Sequence, residues 1–139
     1  MAGIIVDIDG TLLRNGEGID NTIAWVNKKS KNYRIYLVTG RPERSRAATT
    51  RSLRLNNVIY HSLYMNNLGL SNDLVIKYKI QQALQLLKID NIIMAVDNDQ
   101  SARDAYSSVG IQAVDPLNLP KFISKNIGFW QDIFPSGII

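Results

Sequence analysis

The stretch that decides the fold is Ile4 to Thr11, with the sequence IIVDIDGT. Its apolar start is too short for a helix and predicts a buried strand that ends at Asp7. Gly10 allows a sharp turn, and the alternation of side chains along an extended segment places Asp7 and Asp9 on one side. Because two neighbouring carboxylates repel each other unless a cation lies between them, the pattern indicates a site for a hard metal such as Mg²⁺. The alternative is a strand followed by a polar turn.

Length and composition predict a single domain over residues 1–139. The chain is 45% hydrophobic and 20% charged, and it has no cysteine, which excludes disulfide and thiolate chemistry. No apolar stretch approaches the roughly 20 residues of a membrane helix, and a charge at Asp7 comes too early for a signal peptide. We therefore expect a cytoplasmic protein without a membrane partner. The net charge of +4 suits an anionic substrate, including nucleic acid.

Strands and helices alternate along the chain. Further strands are predicted at 33–38, 58–65, 92–96 and 111–114, and helices at 20–31, 43–57, 72–88 and from residue 100 to Gly110. Helical crossovers between parallel strands indicate an α/β protein with one doubly wound sheet. Ligands bind such sheets at the carboxyl ends of the strands. Asp7, Thr39 and Asp97 all follow strand ends, so we expect them to meet in one crevice.

Four stretches together resemble the motifs of the haloacid dehalogenase-like phosphohydrolases, in the order that this family requires. They are Asp7 to Thr11, Thr39 to Arg41, the pair Asp73 and Lys77, and Ala95 to Asp99. The resemblance covers residues 4 to 99. It implies the strand order 5-4-1-2-3 and a phosphatase that works through an aspartyl-phosphate.

The resemblance also implies a role for each motif residue. Asp7 would be the nucleophile, Asp9 the acid–base residue, and Lys77 the positive charge that a transferring phosphoryl group needs. Mg²⁺ would be bound by Asp7, the main-chain carbonyl of Asp9 and Asp97. The substrate-binding residues would be Thr11, Thr39, Gly40, Arg41 and Asp73, of which Asp73 would orient Lys77.

The spacing of the motifs leaves no room for the cap domains of this family. Residues 11–33 hold a loop and one helix, and only residues 66–76 precede Lys77. We therefore expect an open site, accessible to a bulky substrate unless a neighbouring subunit covers it.

Within the family, the chain is most similar to the 3′-phosphatase domain of phage-type polynucleotide kinase-phosphatases. This likeness implies a polynucleotide 3′-phosphate as substrate and a contact of Arg41 with the substrate phosphate. The open site, the basic chain and the cluster of Arg41, Arg44 and Arg46 suggest the same substrate. Two positions depart from the subfamily pattern. Asn98 follows Asp97 where a second aspartate is expected, with Asp99 as a candidate replacement, and Arg14 is the nearest candidate for a loop arginine.

Three other functions stay open. The first is a phosphatase of small molecules such as nucleotides or sugar phosphates, and the second is a family member that binds phosphate without turnover. The third is a receiver-like module, which the order of the motifs disfavours because receivers carry the acceptor aspartate on a middle strand.

Two further features complete the analysis. The lone His61 has no catalytic partner at a telling spacing, so we assign it a structural role. The C-terminal segment is rich in large apolar residues, and we expect it to pack on the domain as a strap or, alternatively, to form an oligomer contact. These residues are Phe122, Phe129, Trp130, Ile133 and Phe134.

Overall fold

The computed structural model describes residues 1–124 and 130–132, with side chains up to residue 121. The strands in chain order are β1 (Ala2–Val6), β2 (Leu13–Arg14), β3 (Glu17–Gly18), β4 (Tyr33–Pro42), β5 (Ser62–Asn66), β6 (Ile92–Val96), β7 (Ala113–Val114), β8 (Phe122–Ser124) and β9 (Trp130–Asp132). The helices are α1 (Asp20–Lys29), α2 (Arg46–Leu55), α3 (Asn72–Ile89) and α4 (Gln100–Ser108). Short 3₁₀ helices precede α2 at Glu43–Ser45 and follow β7 at Pro116–Asn118.

Five of these strands form the central parallel sheet, in the order β5-β4-β1-β6-β7. Numbered among themselves along the chain, the same strands stand in the order 5-4-1-2-3 when read from β7. The predicted α/β class, parallel sheet and order are confirmed. The pairs β2-β3 and β8-β9 are small antiparallel ribbons beside this sheet.

Alternation along β1 divides the core between the two faces of the sheet. Ile4 and Val6 belong to one cluster, which includes Trp25 of α1 and Leu53 of α2. Ile5 belongs to the other cluster, with side chains of α3 and α4 such as Leu86 and Tyr106. Because β1 is buried on both faces, it is a central strand, and its carboxyl end lies in the middle of the sheet edge.

Some boundaries differ from the sequence prediction. The third sheet strand begins at Ser62 instead of residue 58, because Val58 still bonds through its amide to the carbonyl of Leu53 at the end of α2. The last sheet strand is only Ala113–Val114. His61 accepts a hydrogen bond from the Ile35 amide at 2.9 Å through Nδ1, which supports its structural role.

Among the described residues, the two connections in which this family carries its caps are short. Between β1 and α1 the chain forms only the β2-β3 hairpin, and five residues, 67–71, join β5 to α3. Within the described residues, no helix is both long and apolar enough to cross a membrane. The prediction for the aromatic C-terminal side chains lies outside the described residues.

A charged cluster joins the end of α3 to the beginning of β4. Asp90 accepts hydrogen bonds from Arg34 Nε at 2.6 Å and Nη2 at 2.8 Å, and from the Tyr36 hydroxyl at 2.6 Å. These donors hold the pKa of the Asp90 carboxyl well below its usual range, Arg34 most strongly. The ionised carboxylate therefore stabilises the folded chain.

We expect Asp90→Asn to lower the free energy of unfolding by about 1 kcal/mol at pH 7, less than is usual for charged hydrogen bonds because Arg34 is partly exposed to water. Because folding lowers this pKa, the contribution is complete above the unfolded value of about 3.9 and is lost as the pH falls below it. Urea titrations at pH 7 and pH 3 measure the difference in free energy of unfolding between the wild type and Asp90→Asn. This difference should be smaller at pH 3. Asp104→Asn, which alters a surface bond to Gln100, is the control. An equal loss in both variants would contradict the assignment.

Candidate active site at the carboxyl edge of the sheet

Strand register brings three motifs together. Val6 of β1 pairs with Leu37 of β4 on one side and with Val96 of β6 on the other. Asp7 and Asp97, which follow β1 and β6, therefore lie side by side with Gly40 in the last part of β4 at the carboxyl edge. They line an open crevice of about 570 Å³, whose lining includes Asp7, Asp9, Gly40, Asp73, Lys79, Asp97, Asn98 and Asp99. Of the three residues predicted to meet there, Asp7 and Asp97 line the crevice, whereas Thr39 is fully buried and is not part of its lining.

Asp7 lies at the floor of this crevice and is 5% exposed. Its Oδ2 accepts a hydrogen bond from Thr11 Oγ1 at 3.1 Å, and its Oδ1 accepts one from Lys79 Nζ at 3.1 Å. Burial raises the pKa of Asp7 to about 7, against the opposing effect of the Lys79 ammonium. The ionised form of Asp7 is therefore disfavoured by burial and favoured by the neighbouring Lys79 ammonium.

The lysine of the crevice is Lys79, and the predicted placement of Lys77 there is wrong. Lys79 is 5% exposed, and its Nζ also donates to Asp97 Oδ2 at 2.7 Å. Lys77 lies on the exposed side of α3. The spacing Asp73-x-x-x-Lys77 fits the family motif in sequence, but two further residues along the helix are needed to turn the side chain towards β1.

The sequence contained a signal for Lys79. The buried stripe of α3 includes Lys79, Ala83 and Leu86, at positions i, i+4 and i+7. Leu87, which lies outside this stripe, is 37% exposed. A lysine within a buried stripe requires a partner of opposite charge, which here is the pair of aspartates.

Asp9 is more exposed than Asp7, with 60% of its side chain accessible. It forms two parallel hydrogen bonds with Arg41, from Nε at 2.9 Å and from Nη2 at 2.7 Å. Arg41 Nη1 also donates to the buried hydroxyl of Thr49 at 3.0 Å. Arg41 is therefore held at the edge of the crevice by an acidic group and by α2.

The second motif lies beside this pair. Thr39 is fully buried, and its Oγ1 accepts a hydrogen bond from the Arg41 amide at 3.1 Å. Gly40 lines the crevice, and a Cβ there would lie 2.8 Å from Val75 Cγ1 of α3. Glycine thus allows α3 to approach the sheet edge closely.

Hydrogen bonds from Asp99 and Arg103 hold the loop of the fourth motif in place. Asp97 is completely buried and accepts a hydrogen bond from the Asp99 amide at 3.0 Å. The Asp99 carboxylate caps α4 by accepting from the Ala102 amide at 3.0 Å. Arg103 Nη1 donates to the Asp97 carbonyl at 3.0 Å. The loop around Asp97 is therefore fixed from both sides.

The positions of Asp73 and Arg14 can be compared with their predicted roles. Asp73 was expected to orient the lysine of the site and lies on the rim of the crevice. The lysine that is present there, Lys79, is hydrogen-bonded to Asp7 and Asp97. Arg14 lines a smaller neighbouring pocket of about 260 Å³ instead of the crevice itself. Arg14 therefore lies in the loop after the first motif, as expected, but it does not line the crevice that contains Asp7.

The donor groups fit a hard cation, although three carboxylates do not converge. Among the residues that the structure describes, no three side chains of His, Cys, Asp or Glu could together hold a metal. Asp7 and Asp97 share the single positive charge of Lys79, so this buried group carries one negative charge in excess when both are ionised. The two carboxylates and the main-chain carbonyl of Asp9 are oxygen donors of the kind that Mg²⁺ prefers.

The sequence matches a family model described as haloacid dehalogenase-like hydrolase over residues 4–102. The chain therefore belongs to the haloacid dehalogenase-like hydrolases. No curated protein matches it in sequence.

Solved structures of similar fold include a chain of the Pnkp1/Rnl/Hen1 RNA repair complex, with a TM-score of 0.61 and 21% identity over 81% of this chain and 42% of that one. A haloacid dehalogenase-like family protein from Streptococcus pneumoniae has a TM-score of 0.56 and 13% identity, over 81% of this chain and 83% of that one. An uncharacterized protein from Corynebacterium glutamicum has a TM-score of 0.54 and 18% identity, over 83% and 84%. The present chain spans less than half of the RNA repair chain, and these likenesses establish the fold.

The corrected lysine generates a stability prediction. Lys79→Met leaves Asp7 and Asp97 facing each other without a counter-charge, so we expect it to lower the free energy of unfolding by about 3 kcal/mol at pH 8 in chelator. The loss should be smaller at pH 5, where Asp7 can be protonated. Lys77→Met is the matched control and should change stability little. Chemical denaturation of both variants measures the effect, and equal losses would contradict the assignment.

Proposed function

We propose that the protein is a magnesium-dependent phosphomonoesterase that acts through an aspartyl-phosphate on Asp7. The observation that carries the proposal is the buried Asp7 carboxylate at the floor of an open crevice, held between Lys79 and Thr11 and facing Asp97. A carboxylate in this setting is aimed by two hydrogen bonds and is poorly hydrated, which suits a nucleophile. Membership of a hydrolase family supports this chemistry.

The reaction has two halves. In the first, an Asp7 oxygen forms a bond to phosphorus while the ester bond breaks, and the departing alcohol oxygen takes a proton from Asp9. Asp9 must therefore enter this step protonated and released from its ion pair with Arg41. In the second, water forms a bond to phosphorus, the acyl phosphate bond breaks, and Asp9 takes the proton of the water. Asp9 suits both halves because it lies two residues beyond Asp7 and remains accessible to solvent.

The surrounding groups bind the phosphoryl oxygens. Lys79 supplies a fixed positive charge, and Gly40 and Thr39 lie at the adjoining strand end. Asp7, Asp97 and the Asp9 carbonyl would hold Mg²⁺, which would offset the repulsion between nucleophile and phosphate. Arg41 is paired with Asp9, and an entering phosphate would offer it a second anion.

Replacement of the nucleophile tests the proposal. We expect Asp7→Asn to reduce turnover of an aryl phosphate by at least about 1,000-fold, because the amide preserves shape but cannot form the acyl phosphate. Chelator should abolish wild-type turnover, and added Mg²⁺ should restore it. Asp104→Asn is the control at an exposed carboxylate of α4. Undiminished turnover in Asp7→Asn would refute the mechanism.

The role of Asp9 is tested through the leaving group. We expect Asp9→Asn to slow hydrolysis of an alkyl phosphate far more than that of a nitrophenyl phosphate, because a stable departing oxyanion needs little protonation. Initial rates on both esters measure this difference. An equal loss on the two esters would contradict a general-acid role.

We propose a phosphorylated polynucleotide 3′ end as the substrate. The uncapped crevice, the net charge of +4 and the similarity of the first motifs to polynucleotide 3′-phosphatases support it. A structural neighbour from an RNA repair complex is compatible with it. In the arginine cluster, Arg46 pairs with Glu43 and Arg41 with Asp9, whereas Arg44 lines a groove with Asn66 to Leu70 beside the crevice.

A small-molecule phosphatase is the second candidate, and the charge of the rim favours it. Asp9, Asp73 and Asp99 all line the crevice. These carboxylates would repel the additional phosphates of a polynucleotide that passed over them. A nucleotide or sugar phosphate brings fewer negative charges to the same place.

Salt dependence distinguishes the two substrates. If polynucleotide ends are the substrate, a 3′-phosphorylated oligonucleotide should have a higher kcat/KM than a 3′-mononucleotide. This advantage should shrink between low and moderate salt, because arginine–phosphate contacts release counterions. Steady-state kinetics at two salt concentrations measure it. Equal constants, or a preference for the mononucleotide at every salt concentration, would favour the small-molecule phosphatase.

A further inference from the structure

Asn98 occupies the position after Asp97 and lies between the first and fourth motifs. Its main-chain amide donates to Thr11 Oγ1 at 3.1 Å, and Thr11 in turn donates to Asp7 Oδ2. The side chain lines the crevice together with Asp7 and Asp9. Asn98 therefore contacts the loop that carries both aspartates of the first motif.

Hydrogen bonding decides the orientation of the Asn98 amide. One orientation would place its oxygen against the Asp7 carboxylate and the Asp9 carbonyl, where oxygen would face oxygen. The other places Nδ2 there, within hydrogen-bonding distance of the Asp9 carbonyl at 2.9 Å, Asp7 Oδ2 at 3.0 Å and Thr11 Oγ1 at 3.3 Å. Its two hydrogens can serve the two nearest oxygens, those of Asp9 and Asp7. The first orientation would allow one hydrogen bond, from Thr11 Oγ1 to Asn98 Oδ1 at 3.3 Å. The second removes both oxygen–oxygen contacts, so the amide nitrogen points at the Asp7 carboxylate and the Asp9 carbonyl.

The backbone of the loop is built around this amide. Gly10 has φ +78°, and a Cβ added there would lie 2.3 Å from the terminal amide of Asn98. A side chain at position 10 would therefore push Asn98 away from Asp7 and Asp9, besides being strained at this φ. Glycine is required here for close approach as well as for the turn.

We propose that Asn98 is a positioning residue of the cation site, whose amide fixes the distance between the Asp7 carboxylate and the Asp9 carbonyl. The inference rests on the proposed function, because these two oxygens and Asp97 are the groups assigned to Mg²⁺ there. An amide can bridge two oxygens, whereas a carboxylate in the same place would repel both. Asparagine thus keeps the loop ordered before a cation arrives, without adding negative charge to the buried pair.

Direct measurement of Mg²⁺ binding by calorimetry, without substrate, tests the inference. We expect Asn98→Ala to weaken binding about 10-fold or more, as is common when a residue that orients metal ligands is removed. Asn118→Ala is the matched control, because Asn118 is exposed and lies on the 3₁₀ helix after β7. Circular dichroism shows whether each variant is folded at the temperature used.

A second pair of variants keeps the test decisive if Asn98→Ala does not fold. Asn98→Asp preserves size but replaces the donor by an oxygen, so its melting temperature in chelator should fall below that of the control Asn118→Asp. Saturating Mg²⁺ should then raise the melting temperature of Asn98→Asp by more than it raises that of the control, because the cation relieves the new repulsion.

The outcomes separate this inference from the proposed function. If the wild type binds Mg²⁺ and the Asn98 variants bind and respond as their controls do, the positioning role is refuted while the proposed function stands. If the wild type binds no Mg²⁺ at millimolar concentration, the metal-dependent function fails, and the positioning role fails with it.

Discussion

The site depends on one buried arrangement, in which two carboxylates share a single ammonium group. Asp7 and Asp97 end neighbouring central strands, and Lys79 reaches both from α3 at 3.1 and 2.7 Å. Removing charges from water is costly, so the arrangement is stable only if every hydrogen bond is made. Thr11, Asn98, Asp99 and Arg103 supply the bonds that hold the two loops. The fold maintains a buried, partly unneutralised carboxylate because the sheet and helices fix these partners.

The first strand and its two aspartates predicted most of this architecture. A strand buried on both faces, followed by Asp7 and Asp9, indicated a central position in a parallel sheet, and the resemblance to the haloacid dehalogenase-like phosphohydrolases implied the order of the strands. The meeting of Asp7 with Asp97 followed from that order. Such predictions succeed because short, continuous apolar runs mark the buried strands, and an error of one or two residues at their ends leaves the sheet unchanged.

The lysine shows where sequence reasoning failed. A helix rotates by about 100° per residue, so an error of two residues moves a side chain from the crevice to solvent. Lys77 and Lys79 differ in this way, and only the neighbours Ala83 and Leu86 distinguish them. The pairing of Arg41 with Asp9 was also missed, because it joins side chains 32 residues apart and no local pattern encodes it. Functional residues on helices therefore need the face of the helix as well as the motif.

The central claim is that Asp7 becomes phosphorylated during turnover, and trapping of the acyl phosphate tests it most directly. Enzyme that is turning over a phosphate ester is quenched with borohydride, which reduces an aspartyl-phosphate to homoserine, and the peptides are examined by mass spectrometry. The account predicts homoserine at position 7 in the wild type only when substrate and Mg²⁺ are both present. Reduction at another aspartate, or at none in an enzyme that is demonstrably turning over, would contradict it.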